Sequence, residues 1–444
     1  MARVLLLNPP CRGRPKLRDM ACGESTKADY YWAPADLVML SGLLDRDHEV
    51  RVLDAAVEGL DPRRALDVAR SHAPDVVFSL TAAVTLDEDA AFLRALRDAV
   101  GAPIHVLGDV PSFLPELARR RLDAADELIR DFSDPALVEL AAGASGWVPG
   151  TAASPLRIPR PRHDLFPLMR YRMPFTAWRG CATVLTATGC PFRCTFCASH
   201  GLPHHLRPIP DVVDELTAIR QLGIREVYIR DLTFGPNRAR ALALSRVIAD
   251  ADLGLRWSAE CRAEVLDDEV LEAMAAAGCE VILVGVETGS EAVARRLGKP
   301  VGHRALPVLS TARRLGIRTC AHFVIGVPSE GREDVEATLR LARELPLDYA
   351  SFNLYAPRPG SALWQDLVDR GRVDPDDPGS QDVSLRAESF GDVDASALRA
   401  LFRRGVLSFY FRPSQVLRLV RSTPWSTLLR QGTGVLRLLM EAER

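Results

Sequence analysis

The 444 residues, 47% hydrophobic and 26% charged, suffice for two or three globular domains with an ample core. A formal net charge of -2 argues against a nucleic-acid partner, and the lack of an apolar run of about 18 residues argues against a membrane one. Of 56 basic residues only Lys16, Lys27 and Lys299 are lysine, which fits GC-rich coding bias better than phosphate binding; nine cysteines without a signal segment point to a reducing cytoplasm.

Val4 to Leu7, ended by Asn8-Pro9-Pro10, reads as a buried strand opening a βα unit. Helix is expected over 37–44, strand over 50–54, helix over 62–72, strand over 75–80, helix over 88–100 and strand over 104–107. This alternation predicts an α/β domain over 1–150 with a Rossmann-like, doubly wound parallel sheet, whose ligands belong at the carboxyl ends of the strands. Residues 151–174, rich in Pro and Arg, read as a linker wrapped across the surface. A second series follows over 175–390, with strands at 183–188, 226–231, 256–262, 281–287, 318–325 and 349–355 and amphipathic stretches such as 212–222, 268–277 and 335–345 between them. Residues 391–444 read as a helical region, with Phe409-Tyr410-Phe411-Arg412-Pro413 placed to cover one mouth of the second unit.

Three thiols crowd into eight residues after the first strand of that second series, in Cys190-Pro191-Phe192-Arg193-Cys194-Thr195-Phe196-Cys197. Thiolates are the ligands soft iron prefers, and so tight a turn can aim three of them at one [4Fe-4S] cluster, leaving the fourth iron open. A structural zinc site would need a fourth ligand, for which His200 or His204 is at hand; an odd trio suits a disulfide poorly. The CxxxCxxC spacing, with an aromatic residue just before the last Cys, resembles that of the radical S-adenosylmethionine (SAM) superfamily. The resemblance implies a partial (β/α)6 barrel, a cluster held by Cys190, Cys194 and Cys197, and SAM on its open iron, cleaved by one electron to a 5'-deoxyadenosyl radical.

Further resemblances assign the SAM contacts. Val284-Gly285-Val286-Glu287-Thr288-Gly289-Ser290 looks like the superfamily's ribose motif, which gives Glu287 to the ribose with Ser290 nearby. Period two puts Ser258, Glu260 and Arg262 on one strand face, where similar enzymes use an Arg for the SAM carboxylate, and Glu260 has Arg262 as a candidate ion-pair partner. Asp231 stands where the amino end of SAM is met. His322 to Pro328 resembles the adenine segment, with main-chain and apolar contacts from Ile325 and Val327 and a cover from Phe196. Substrate candidates at strand tops or the cluster loop are His200, His204, His205, Tyr228, Glu260, His322, Asn353 and Tyr355; Glu260, Tyr228, His322 and Tyr355 are the catalytic candidates.

Residues 1–150 resemble the cobalamin-binding domain of many radical SAM enzymes, in Asn8-Pro9-Pro10, Val52-Leu53-Asp54 and Ser79-Leu80-Thr81. They depart from it at Gly108-Asp109-Val110-Pro111, which lacks the usual Gly-Gly and His, and at Asp131-Phe132-Ser133-Asp134, where a glycine-rich loop is usual. Bulkier residues there should narrow the groove. The main expectation is therefore a cobalamin-free enzyme that dehydrates a sugar or aminocyclitol, resembling the radical diol dehydratases of aminoglycoside pathways. Its alternative is a cobalamin-dependent methyltransferase acting on carbon or phosphorus. Either needs a small polar substrate and an electron donor, of flavodoxin or ferredoxin type or a dedicated reductase.

Overall fold

The computed structural model describes residues 1–13, 16–19, 24–25, 30–144, 156–174, 179–200, 202–378, 389–422 and 428. Five parallel strands, β1 (Arg3–Asn8), β2 (Glu49–Asp54), β3 (Val76–Thr81), β4 (Ile104–Gly108) and β5 (Glu127–Ile129), form the first sheet in the order β2-β1-β3-β4-β5. All six residues of β3 are buried, as a strand covered on both faces requires. On one face Leu5, Leu7, Val77 and Val106 pack with the helices Pro62–His72 and Leu86–Val100. On the other, Val4, Leu6 and Phe78 belong to a core continuous with that of the second sheet. Helix Ala35–Leu44 is buried at all ten residues, matching a sequence that is apolar all round. The strand order reverses between β1 and β3, the place where sheets of this kind bind their ligands.

The second sheet has the six expected strands, β6 (Ala182–Val184), β7 (Glu226–Phe234), β8 (Arg256–Cys261), β9 (Cys279–Glu287), β10 (Arg318–Ile325) and β11 (Tyr349–Leu354), parallel and paired in that order. The strand expected at 183–188 breaks in two. Ala182–Val184 joins the sheet, whereas Ala187–Thr188 pairs antiparallel with His205–Leu206. The bend is held by Asp231, whose carboxylate accepts hydrogen bonds from the Thr186 and Ala187 amides at 2.6 and 3.0 Å.

Two expectations are corrected. The segment 156–174 is no surface linker: Leu156, Ile158, Phe166, Leu168, Tyr171 and Met173 are buried in the shared core. It is stitched to both sheets. Tyr31 and Arg172 exchange backbone hydrogen bonds, Tyr171 Oη donates to Asp54 at 2.7 Å, and His163 meets Glu215 at 2.7 Å. Burial opposes ionising Glu215, but Arg207 and His163 outweigh it and hold the carboxyl below its usual range. Nor does Phe409–Pro413 cover a mouth. Helix Ala395–Tyr410 lies along β11, where Tyr410 Oη accepts from the Ala350 amide at 3.1 Å and donates to its carbonyl at 2.8 Å. An edge strand's unpaired backbone groups are satisfied there by a side chain. No described helix is long and apolar enough to cross a membrane.

Asp54, at the end of β2, accepts from Asn8 Nδ2 (2.8 Å), the Val57 amide and Tyr171 Oη. Burial nonetheless pushes its pKa up to about 6. A native pKa above the unfolded one means the folded chain keeps a proton the unfolded chain has released, so stability falls as pH rises from about 4 to about 6. Asp54→Asn, which keeps the Oδ1 acceptor, offers an amide that Tyr171 Oη can accept from and removes the charge, is expected to raise Tm by a few °C above about pH 7 and to leave it unchanged near pH 4, as thermal melts across that range would read.

Candidate active site

One face of the second sheet carries the chemistry. Because adjacent parallel strands align residue by residue, Tyr228 and Ser258 share this face, and so do Gly285, His322 and Ser351. Glu260 and Asn353 follow on it by period two. Tyr228 Oη donates to Glu260 Oε1 at 3.0 Å, and His322 Nε2 stands 3.8 Å from Glu260 Oε2. Glu260 thus engages Tyr228 and His322, not Arg262 as the sequence suggested. Ser258 Oγ and His322 Nε2 are buried atoms without a hydrogen-bond partner among the described residues, which is costly unless a ligand supplies one. Asn353 Nδ2 donates to the Phe323 carbonyl at 3.0 Å.

The cluster loop sits at the carboxyl end of this face. Burial pushes the Cys190 thiol up and Cys194 adds to that, while Arg262 and Lys299 pull it back. Cys197 is raised by burial and by its two companions, so the three sulfurs are close enough to feel one another's charge. Arg262 Nη1 donates to Cys194 Sγ at 2.9 Å, Nε donates to Glu264 at 2.7 Å, and the guanidinium lies 4.0 Å from the Phe192 ring centre. Among the described residues no three His, Cys, Asp or Glu side chains stand at metal-holding distances, so the thiols must turn toward one another to seat a cluster. Three sulfur donors on one loop fit a cubane with one open iron.

Glu287 ends β9 with φ 66°, a left-handed conformation that costs a non-glycine residue about 1 kcal/mol or more and recurs at ligand sites. Its Oε1 accepts from Lys299 Nζ at 2.9 Å, and Lys299 also donates to the Gly285 carbonyl at 2.7 Å. A Cβ on Gly285 would lie 2.4 Å from Glu287 Oε1 and 2.7 Å from Lys299 Nζ, so glycine is what lets the pair close over the strand. Phe196 packs against the cluster of Val327, Tyr355 and Phe390.

Several expected contacts are already engaged within the chain. Asp231 lies on the opposite strand face from Tyr228, and its carboxylate, pushed up to about 6 by burial, serves Thr186 and Ala187. Ser290 caps helix Glu291–Leu297, accepting from the Val293 amide at 3.3 Å and donating to Asp334 at 2.5 Å. The Val327 amide donates to Glu330 at 3.0 Å, and the Ile325 carbonyl accepts from the Tyr355 amide at 2.8 Å. Main-chain bonds to adenine are therefore not open at these atoms. Tyr355 Oη is buried without a hydrogen-bond partner among the described residues, away from Glu260. His200 bonds the Cys197 carbonyl (3.2 Å), while His204 lines a small cavity beside Asp231 and Arg240, and His205 pairs with Thr188.

Residues the sequence reading passed over complete the site. Trp32 meets the Tyr228 ring edge-on at 5.3 Å and stacks on Tyr30 at 5.6 Å, and Arg230 lies over Trp32 while pairing with Asp19 at 3.1 Å. From the other end of the first sheet, the Phe113 ring abuts Gly360. The carboxyl edges of the two sheets therefore face each other across a seam in which Tyr30, Trp32, Phe113 and Leu114 are only half-buried. The crevice behind them does not take a ligand's tail, because buried Arg18 fills it, donating to the carbonyls of Pro9 (2.8 Å) and Pro10 and to Asp89 (2.6 Å). His48, His72 and His105 all lie toward the amino ends of the strands, out of reach of the seam.

Residues 184–342 match the family model of the radical SAM superfamily. An uncharacterized methyltransferase of Pyrococcus horikoshii is 26% identical over 92% of this chain and 94% of its own length. Cytidylyl-2-hydroxyethylphosphonate methyltransferase of Streptomyces wedmorensis is 30% identical over 48% of this chain and 42% of its own. Among solved structures, the radical SAM methyltransferase TsrM of Kitasatospora setae, with cobalamin and a [4Fe-4S] cluster bound, shares the fold at TM-score 0.64 and 21% identity, over 83% of this chain and 78% of its own. The cobalamin-dependent enzyme OxsB, with aqua-cobalamin and SAM bound, shares it at TM-score 0.71 and 16% identity, over 98% of this chain and 72% of its own.

Proposed function

We propose that this radical SAM enzyme, which works with a [4Fe-4S] cluster and SAM, is a cobalamin-dependent methyltransferase acting on a small polar molecule. The observation that carries the reading is the half-buried rings of Tyr30, Trp32 and Phe113, with Leu114 beside Phe113, between the facing edges of the two sheets. Support comes also from the relative matched along nearly its whole length, a methyltransferase, and from two cobalamin enzymes with the same two-sheet fold. Methyl transfer therefore replaces the dehydration expected from the narrowed loops, which none of these relatives performs by its name.

Cobalamin, when bound, supplies a methyl carrier, and the cluster with SAM supplies the radical that opens an unreactive bond. Cys190, Cys194 and Cys197 hold the cluster. Glu287 takes the ribose hydroxyls, Arg262 beside Cys194 faces the SAM carboxylate, and Phe196 with Val327 gives the adenine an apolar bed. Tyr30, Trp32 and Phe113 would bed the corrin, and none of His48, His72 and His105 would reach it. Tyr228, Glu260 and His322 orient the substrate, through a carboxylate suited to a hydroxyl or an ammonium and through buried polar atoms that still need partners. Reduction of the cluster would need an external one-electron donor.

Anaerobic reconstitution with iron and sulfide, with and without hydroxocobalamin, followed by gel filtration and a visible spectrum tests the reading. About one cobalt retained per chain, with a product heavier by one methyl group, is the expected result. A cluster spectrum with no cobalt retained would overturn it.

A further inference from the structure

Lys299 is one of three lysines in a chain whose other 53 basic residues are arginine, and its ammonium is almost wholly buried beside a carboxylate in the same state. Its immediate neighbours in sequence hold the cluster loop. The Leu297 carbonyl accepts from the Thr195 amide at 3.2 Å, the Arg296 carbonyl accepts from Thr195 Oγ1 at 2.7 Å, and Arg296 Nη1 donates to the Ser329 carbonyl at 2.7 Å. Four residues, 296–299, thus fasten the cysteine loop, the turn after β10 and Glu287 to one another.

We infer that Lys299 is a positioning residue that joins the SAM ribose site to the cluster loop, holding the Glu287 carboxylate aimed at the ribose. The inference rests on the assignments of Glu287 and the three cysteines proposed above. Lys299 takes one carboxylate oxygen of Glu287, which leaves the other to accept from a ribose hydroxyl. The bonds from Thr195 to the Leu297 and Arg296 carbonyls carry the same hold to the loop that bears Cys194 and Cys197. A guanidinium cannot replace it. The ammonium sits 2.7 Å from where a Cβ on Gly285 would be, a space for a compact point charge and not for a planar fork.

The test compares the reconstituted full-length chain with Lys299→Met, Lys299→Arg, Glu287→Gln and the double variant Lys299→Met/Glu287→Gln. Iron content, SAM affinity by equilibrium dialysis, and the cluster midpoint potential without SAM are read for each. Lys299→Met is expected to keep its iron, to bind SAM at least about tenfold more weakly, and to become harder to reduce, since a nearby cation is gone. Glu287→Gln should weaken SAM binding while making reduction easier, and the double variant should bind SAM no worse than the weaker single one. Lys299→Arg should also weaken SAM binding but leave the potential closer to that of the parent. Parent-like SAM affinity in Lys299→Arg, or an unchanged affinity and potential in Lys299→Met, overturns the inference while leaving the ribose assignment standing. An unchanged affinity in Glu287→Gln overturns the ribose assignment itself, and the inference with it.

Discussion

Cys190→Ala, Cys194→Ala and Cys197→Ala are each expected to purify without the cluster and to form no 5'-deoxyadenosine from SAM. Two thiolates cannot hold a cubane that already relies on three, and among the described residues no further His, Cys, Asp or Glu completes a metal-holding group there. The four described cysteines buried away from the loop are the controls. Cys181, Cys261, Cys279 and Cys320 are buried among apolar side chains, and burial raises the first three well above the usual thiol range, so they stay protonated and inert. Their replacement by Ala should keep iron and SAM cleavage, at a stability loss of about 1 kcal/mol each. Iron and sulfide analysis with chromatography of the nucleoside reads both sets; cleavage surviving in any of the three loop variants would sink the cluster assignment. Cys194→Ala also frees Arg262 from its sulfur contact, so the loss there combines ligand and positioning effects.

Glu260→Gln should separate the two halves of the chemistry. The carboxylate receives the Tyr228 hydroxyl and faces His322, half-buried on the polar strand face, and it bonds no residue of the cysteine loop. An amide keeps the Tyr228 hydrogen bond but loses the charge that would hold a substrate hydroxyl or ammonium. Methylated product is therefore expected to fall by about 100-fold or more, while cluster content and SAM affinity stay as they are. The ratio of methylated product to 5'-deoxyadenosine, measured in one assay, is the telling quantity. A matching fall in both would place Glu260 with the SAM-binding groups instead of the substrate.

Much of the site was legible because its chemistry is local. Three cysteines within eight residues, and Gly285 two residues before Glu287, bring their donors together through the backbone alone. The same holds for Ser258 and Glu260, whose shared face follows from strand alternation. Asp231 shows the limit of that reasoning: its place on the strand was clear, yet one residue along a strand reverses the face, and the carboxylate bends the chain at Thr186. The segment 156–174 misled for a related reason. Pro and Arg mark irregular backbone, but whether such backbone is exposed depends on what packs over it, and here two sheets close upon it.

The sequence by itself determined the two βα series, the strands to within a few residues, and the three-thiol loop, because hydrophobic periodicity and short-range spacing are properties of neighbouring residues. Tertiary structure alone decided that Trp32 meets Tyr228, that Arg18 fills the crevice between β1 and β3, and that Lys299 pairs with Glu287 over a glycine. Those contacts join residues whose proximity no local rule specifies. They arise because the two sheets bury one common core, and that burial brings their carboxyl edges together.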